Sequence, residues 1–137
     1  MSALIEPPLA GIFIVKKPAR KDPCELELQM LIGGKQVCIL ERPIVTVDEL
    51  EYVTDVLYDP SLKYHYVDLG ISSTSVNTLN QTISLLPKSE FALVIEGSVI
   101  CVFTIHQRID KRYIRLGEDL EFKNIVRIRD ALKKVKY

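Results

Sequence analysis

The residues of this chain that could form a catalytic centre are few, and their spacing does not suit one. Cys101 and His106 could act as a nucleophile and its general base, but residues five apart on a strand point to opposite faces. His65 has no cysteine, acid or second histidine at the spacing of a metal site. Glu25 and Glu27 share a strand face, a pattern typical of the solvent side of a sheet. We therefore expect no enzyme activity, no metal, no cofactor and no small-molecule substrate.

A second chemical feature is positive charge near the end of the chain. Ten of the thirty-two residues from His106 onwards are Lys or Arg, against five Asp or Glu, although the chain has no formal net charge. Such a segment attracts anionic lipid, nucleic acid or an acidic protein, although the same charges could simply be solvated surface. The candidate residues for binding RNA or anionic lipid are Lys16, Lys17, Arg20, Lys21, Arg108, Lys111, Arg112, Arg115, Lys123, Arg127 and Lys134.

The stretch between the basic clusters is acidic, with seven Asp or Glu against two basic residues over 41–68. The chain is therefore basic, then acidic, then basic. These charge blocks could let copies of the protein associate head to tail, or could again be solvated surface. Thr46 and Glu49 have the spacing of a capping box, and apolar residues follow at helical intervals. This pattern predicts a short acidic helix over about 47–57.

Most of the remaining pattern predicts strands. Gly33 and Gly34 suit the tight turn of one hairpin, and Gly97 and Ser98 that of another, whose continuously apolar flanks indicate central strands covered on both faces. The hydroxyl-rich stretch 72–78 is predicted to be a loop. The predicted strands cover residues 11–17, 26–30, 35–40, 64–69, 79–85, 91–95, 99–105 and 113–116.

The chain should close with an amphipathic basic helix over about 119–135. Apolar residues spaced three and four apart, from Ile125 to Val135, share one face, and Lys123, Arg127 and Lys134 lie on the other. The apolar face could pack on a sheet or lie on a membrane. Together these elements predict an α+β fold, mostly antiparallel sheet, in a single domain over 1–137 with a flexible segment at 1–10.

The cysteines and the start of the chain bear on location. Cys24, Cys38 and Cys101 are odd in number and lie in apolar, strand-like stretches, which favours reduced thiols in the core over a disulfide framework. Met1 to Ala10 lacks the pattern of a signal peptide, and no apolar run approaches the ~20 residues of a membrane-spanning helix. We expect a location in the cytosol or nucleus.

The order of the elements resembles the matrix proteins of bornaviruses. The resemblance is carried by Ile12-Phe13-Ile14-Val15, the hairpin over 27–34, Arg42-Pro43-Ile44-Val45-Thr46-Val47, Phe91-Ala92-Leu93-Val94-Ile95, Arg112-Tyr113 with Leu116, and the closing helix. It would cover the chain from about Ile12 to about Val135. The likeness implies a structural protein of a negative-strand RNA virus, present in the host cytoplasm or nucleus and in the virion.

Such a protein would form homotetramers beneath the inner face of the virion envelope. It would associate with anionic membrane and with single-stranded RNA or ribonucleoprotein. Tyr64, Tyr66 and Tyr113 could stack on bases, or could be half-buried packing. The alternative function is a small cytosolic protein-binding regulator or inhibitor, without catalytic activity, that presents the acidic helix to a protein partner.

Overall fold

The computed structural model describes residues 9–17, 23–31, 33–118 and 120–136, so most of the segment 1–10 lies outside the described residues. The α+β class predicted from the sequence is confirmed. In chain order the elements are β1 (Gly11–Ile14), β2 (Leu26–Gln29), β3 (Gln36–Ile39), β4 (Val45–Thr46), β5 (Leu50–Val53), β6 (Leu57–Asp59), β7 (Tyr64–Ile71), α1 (Ser73–Leu85), β8 (Glu90–Ile95), β9 (Ser98–Thr104), β10 (Tyr113–Leu116) and α2 (Phe122–Lys136).

In the part of the chain that the structure describes, the strands form two antiparallel sheets and one separate hairpin. The first sheet has the order β4-β1-β8-β9; the second sheet has the order β10-β7-β5, with β6 also paired to β7. The separate hairpin β2-β3 turns through Gly33 and Gly34, both with positive φ, as the sequence predicted. Helix α2 contacts β5 and β7 of the second sheet and β8 and β9 of the first. It therefore joins both sheets to one core.

The first sheet is covered on both of its faces. On one face Ile12 and Leu93 pack in the large core that α2 enters through Ile125. On the other face Phe13 and Val94 pack against the β2-β3 hairpin. The predicted burial of β8 on both faces is confirmed, because two layers cover it. Strand β9, however, forms the edge of the sheet, so the prediction that both strands of this hairpin lie in the middle is wrong for β9.

The predicted acidic helix over about 47–57 is wrong. A single 3₁₀ turn, Val47–Glu49, leads directly into β5. A bulge in β5 lets Leu50 and Val53 both face the core, and this spacing of three residues imitates a helical pattern. The Thr46 and Glu49 pair does interact, because the N–H and the hydroxyl of Thr46 donate to Glu49 Oε1 at 3.1 and 3.0 Å.

Helix α1 occupies the region predicted to be a loop over 72–78 and a strand over 79–85. Ser72 caps the helix by accepting a hydrogen bond from the Ser75 N–H at 3.1 Å. The hydroxyls of Thr78 and Thr82 donate to the carbonyls four residues earlier, at 3.0 and 2.9 Å. Hydroxyl groups that suggested a loop therefore support a helix here.

Two of the three cysteines are bonded to one another. Cys24, just before β2, forms a disulfide with Cys38 in β3, so the prediction of reduced thiols is wrong for this pair. Cys101 is free and buried in the large core, and burial raises the pKa of its thiol to about 12. That thiol is therefore protonated at neutral pH and is a poor nucleophile.

In the described part of the chain, neither helix combines the length and the hydropathy that crossing a membrane requires. The closing helix predicted over about 119–135 is present as α2, although Asp119 lies outside the described residues. Ile125, Ile128 and Leu132 are buried, so the apolar face packs inside the protein. It is not free to lie on a bilayer.

Candidate nucleic-acid interface

The first basic cluster is only partly available. Lys16 pairs with Glu25 at 3.3 Å and its side chain is almost buried, whereas the exposed Lys17 lies 3.9 Å from Glu90. Both lysines line a groove of about 540 Å³ beside the β2-β3 hairpin. Arg20 and Lys21 lie outside the described residues.

Two of the four arginines and lysines predicted over 108–115 are held by carboxylates. Arg112 donates to both oxygens of Glu51, at 2.6 and 2.5 Å. Arg115 donates to Asp68 at 2.9 and 3.2 Å, which raises the pKa of the guanidinium above its usual range. These two side chains contribute little net positive charge to the surface.

Arg108 and Lys111 are different, because among the described residues neither has an ion pair. Both are exposed and line a groove of about 380 Å³ that also includes Tyr113 and Arg115. Asp110 and Glu118 line the same groove, so its net charge is small.

The basic residues of α2 lie elsewhere. Lys123 is 3.4 Å from Glu121, whereas Arg127 and Lys134 are exposed and line a depression beside the turn that joins β8 and β9. Seven of the predicted basic residues line three different depressions of the surface: Lys16 and Lys17 line one, Arg108, Lys111 and Arg115 a second, and Arg127 and Lys134 a third. Among the residues that the structure describes, no single depression collects all of these basic side chains.

A face rich in tyrosine is the more distinctive feature. In β7, Val67, Leu69 and Ile71 are buried, so Tyr64 and Tyr66 project from the opposite face of the second sheet. The neighbouring strands add to this face from both sides. We call it the tyrosine face; its aromatic side chains are Tyr52, Tyr64, Tyr66 and Tyr113.

The tyrosines of this face are held at defined positions. The rings of Tyr64 and Tyr66 meet edge to face, with centroids 6.2 Å apart. The Arg115 guanidinium lies 3.8 Å from the Tyr66 centroid and 5.8 Å from that of Tyr113. The Arg115 side chain therefore joins the aromatic residues of β7 and β10.

Tyr52 extends the face across β7. It pairs in register with Gly70, and a Cβ at Gly70 would collide with its ring, so glycine lets the ring lie against the strand. Tyr52 remains 42% exposed. Sequence reasoning identified the other three tyrosines but placed Tyr52 in the acidic helix. The spacing of Tyr64 and Tyr66, two residues apart in a strand, was the sequence signal that placed them on one face.

The residues considered for catalysis do not lie together in one site. Cys101 is buried in β9, whereas His106 is exposed beyond the end of that strand and its Nε2 lies 2.9 Å from the Thr104 hydroxyl. His65 contacts the rings of Tyr58 and Phe122, with centroids 4.8 and 4.6 Å away. Within the described ranges, no three His, Cys, Asp or Glu side chains are placed to hold a metal ion.

No family model and no curated protein matches this chain. Among solved structures, a chain in the crystal structure of SecDF in its super-membrane-facing form is similar, with a TM-score of 0.57 and 16% sequence identity. The likeness covers 90% of this chain and 18% of the SecDF chain, so this protein spans only a small part of that structure's length. At this identity the likeness concerns the fold alone.

Proposed function

We propose that this chain is a non-catalytic structural protein that holds single-stranded RNA on its tyrosine face. The observation that carries the proposal is the alignment of four tyrosines on one sheet face, Tyr52 exposed and the other three partly exposed, with Arg115 between Tyr66 and Tyr113. Sheet faces with aromatic side chains bind unpaired bases by stacking, and arginine adds cation–π contacts. The resemblance to bornavirus matrix proteins supports the same function.

Stacking must supply most of the affinity. Of the basic residues predicted over 108–115, Arg112 and Arg115 are paired with carboxylates, which leaves Arg108 and Lys111 available to phosphate groups. Base stacking on an aromatic side chain contributes about 1–3 kcal/mol per base and tolerates different sequences. We therefore expect sequence-tolerant binding to unpaired RNA and weak binding to duplex RNA.

A short fluorescent oligouridine, titrated with the full chain in an anisotropy assay, tests the proposal. The double variant Tyr64→Leu/Tyr113→Leu keeps much of the apolar area but removes two stacking rings, and should weaken binding about tenfold or more. Tyr58→Leu is the matched control, because Tyr58 pairs with His65 and so lies on the opposite face of the sheet. Equal affinity of the wild type and the folded double variant would overturn the assignment.

The resemblance also supports self-association into tetramers and contact with anionic membrane. The exposure of Arg127 and Lys134 on α2, which among the described residues have no ion pair, supports membrane contact through these two side chains. One basic residue near an anionic surface contributes about 1 kcal/mol, so membrane contact needs several copies of the chain. Light scattering should give the mass of a tetramer, and the protein should float with anionic but not neutral vesicles at low salt.

A protein-binding regulator is the second candidate. The acidic helix on which that idea depended is absent, but tyrosine and arginine, which dominate the tyrosine face, are also the residues enriched at protein interfaces. A monomer that binds neither oligouridine nor vesicles would favour this function over the first.

A further inference from the structure

The edge of β9 has backbone groups that point away from the sheet. The N–H of Val15 donates to the carbonyl of Glu90 at 2.9 Å, so the backbone of Glu90 is directed towards β1. Glu90 pairs in register with Thr104, and Ala92, two residues on, pairs with Val102. Because the direction of hydrogen bonding alternates along an antiparallel strand, Thr104 and Val102 turn their N–H and C=O groups outward.

These outward groups have no partner in the described part of the chain. Further back along the same edge, the carbonyl of Val99 accepts a hydrogen bond from the N–H of Leu31 at 2.8 Å. The edge therefore already accepts one extended segment, beside Val99, and is open beyond it. Strand β9 also contains no charged residue and no proline, the features that usually protect an exposed edge.

A cleft of about 290 Å³ lies against this open part of the edge. Its other side is formed by the end of β10 and the segment after it, through Leu116 and Leu120. Phe103 supplies an apolar surface on the core side of β9. On the opposite face of the strand, Val102 and Thr104 lie beside Glu90, because residues paired across two strands share a face.

The charges of the cleft favour a cationic occupant. Glu90 and Glu118 both line it, and among the described residues Glu118 has no ion pair. Glu90 is only 3.9 Å from an exposed lysine, Lys17, a weak contact that a closer cation can replace. Arg115 and His106 also line the cleft; the charge of Arg115 is held by Asp68, and Nε2 of His106 lies 2.9 Å from the Thr104 hydroxyl.

We propose that an extended segment of a partner protein, with alternating apolar and basic residues, adds to the edge of β9. Its backbone would bond to Val102 and Thr104. Its apolar side chains would face Phe103 and Leu120, and its basic side chains would face Glu90. This site adjoins the tyrosine face through Arg115. Its backbone contacts lie on β9, however, and its ligand has the opposite charge to RNA, so separate variants and separate probes test the two proposals.

A short blocked peptide of alternating valine and lysine is the first probe, used with the full chain. The amides of Val102 and Thr104 should exchange more slowly with solvent, by NMR, when the peptide is added. Thr104→Pro removes one outward N–H and leaves the ladder to β8 intact, and should weaken binding roughly two- to tenfold. Thr104→Val is the matched control, because it also loses the hydroxyl but keeps the N–H, and should bind normally.

A second pair of variants tests the charge of the partner. Glu90→Gln combined with Glu118→Gln should weaken binding of the valine–lysine peptide about two- to tenfold. Glu96→Gln, in the turn at the far end of β9, should have no effect. Unchanged exchange at Val102 and Thr104 with saturating peptide would overturn the proposal, and so would equal binding of a valine–glutamate peptide.

Discussion

The guanidinium of Arg115 lies 3.8 Å from the centre of the Tyr66 ring while its Nε donates to Asp68 at 2.9 Å. The side chain is two-thirds buried between these groups, so its charge stabilises the fold more than it attracts ligands. Arg115→Leu should lower the free energy of unfolding by about 1–3 kcal/mol, because it leaves Asp68 without its partner. Arg108→Leu should change it by less than about 0.5 kcal/mol. Urea denaturation of the two variants measures the difference.

Salt should affect RNA binding only weakly. If Arg108 and Lys111 are the cations that neutralise phosphates, the logarithm of the binding constant should fall with the logarithm of salt concentration with a slope of about −1.4, since single strands give about −0.7 per phosphate. Anisotropy titrations at several salt concentrations give this slope. A slope steeper than about −3 would mean that the paired arginines also contact phosphate.

Glu49 should make the fold sensitive to acid. Its carboxylate accepts hydrogen bonds from the Thr46 N–H and, at 2.8 Å, from the Ser75 hydroxyl, and these bonds lower its pKa below the ordinary value of 4.5. The stabilisation is present above pH 4.5 and is lost as the pH falls through the lower pKa of the folded state.

The variant Glu49→Gln isolates this effect. It should be less stable than the wild type by about 1 kcal/mol at neutral pH and should lose less stability below pH 4.5. Urea midpoints measured across the acid range compare the two chains. Parallel pH profiles would show that the ionisation of Glu49 does not stabilise the fold.

Gly70, in β7, and Gly117, just after β10, should respond differently to substitution by alanine. At Gly117 an added Cβ would collide with the backbone carbonyl of His65, which cannot move alone, whereas at Gly70 it would meet the side-chain ring of Tyr52, which can rotate. Gly117→Ala should therefore cost about 1–3 kcal/mol and Gly70→Ala less. Gly70→Ala should instead displace Tyr52 and weaken oligouridine binding. Thermal unfolding and anisotropy together distinguish these outcomes.

Reduction of the disulfide should destabilise the β2-β3 hairpin, which covers one face of the first sheet. The bond between Cys24 and Cys38 closes a loop across fourteen positions, for which the chain-entropy effect is about 3 kcal/mol. The double variant Cys24→Ser/Cys38→Ser should therefore unfold at a lower urea concentration than the wild type. The variant Cys101→Ser measures separately how the buried thiol contributes to stability. Wild type with and without reductant should show the same difference as the double variant.

The elements predicted correctly from the sequence are those in which apolar residues recur at the regular spacing of a strand or a helix. The β2-β3 hairpin, β8 and β10 follow their apolar patterns closely, and α2 is found at the predicted spacing of Ile125 and Leu132. In α1, by contrast, serine and threonine hydroxyls obscured a helical series at Val76, Leu79 and Ile83. The capping by Ser72 was a signal that could have revealed it.

The candidate site was only partly visible because it depends on pairings between distant residues. Sequence spacing cannot show that Glu51 neutralises Arg112 or that Asp68 neutralises Arg115. It also cannot show that Tyr52 reaches the same face as Tyr113, because a bulge in β5 sets the position of Tyr52. Charge counts therefore overstated the basic surface, and the tyrosines were undervalued.

Whether the bond between Cys24 and Cys38 is present depends on the redox conditions in which the chain folds. Oxidation removes the two thiol hydrogens, and such bonds persist in oxidising surroundings but rarely in the reducing cytosol. Intact mass of protein trapped with an alkylating reagent in its native host would therefore report the environment in which the β2-β3 hairpin closed.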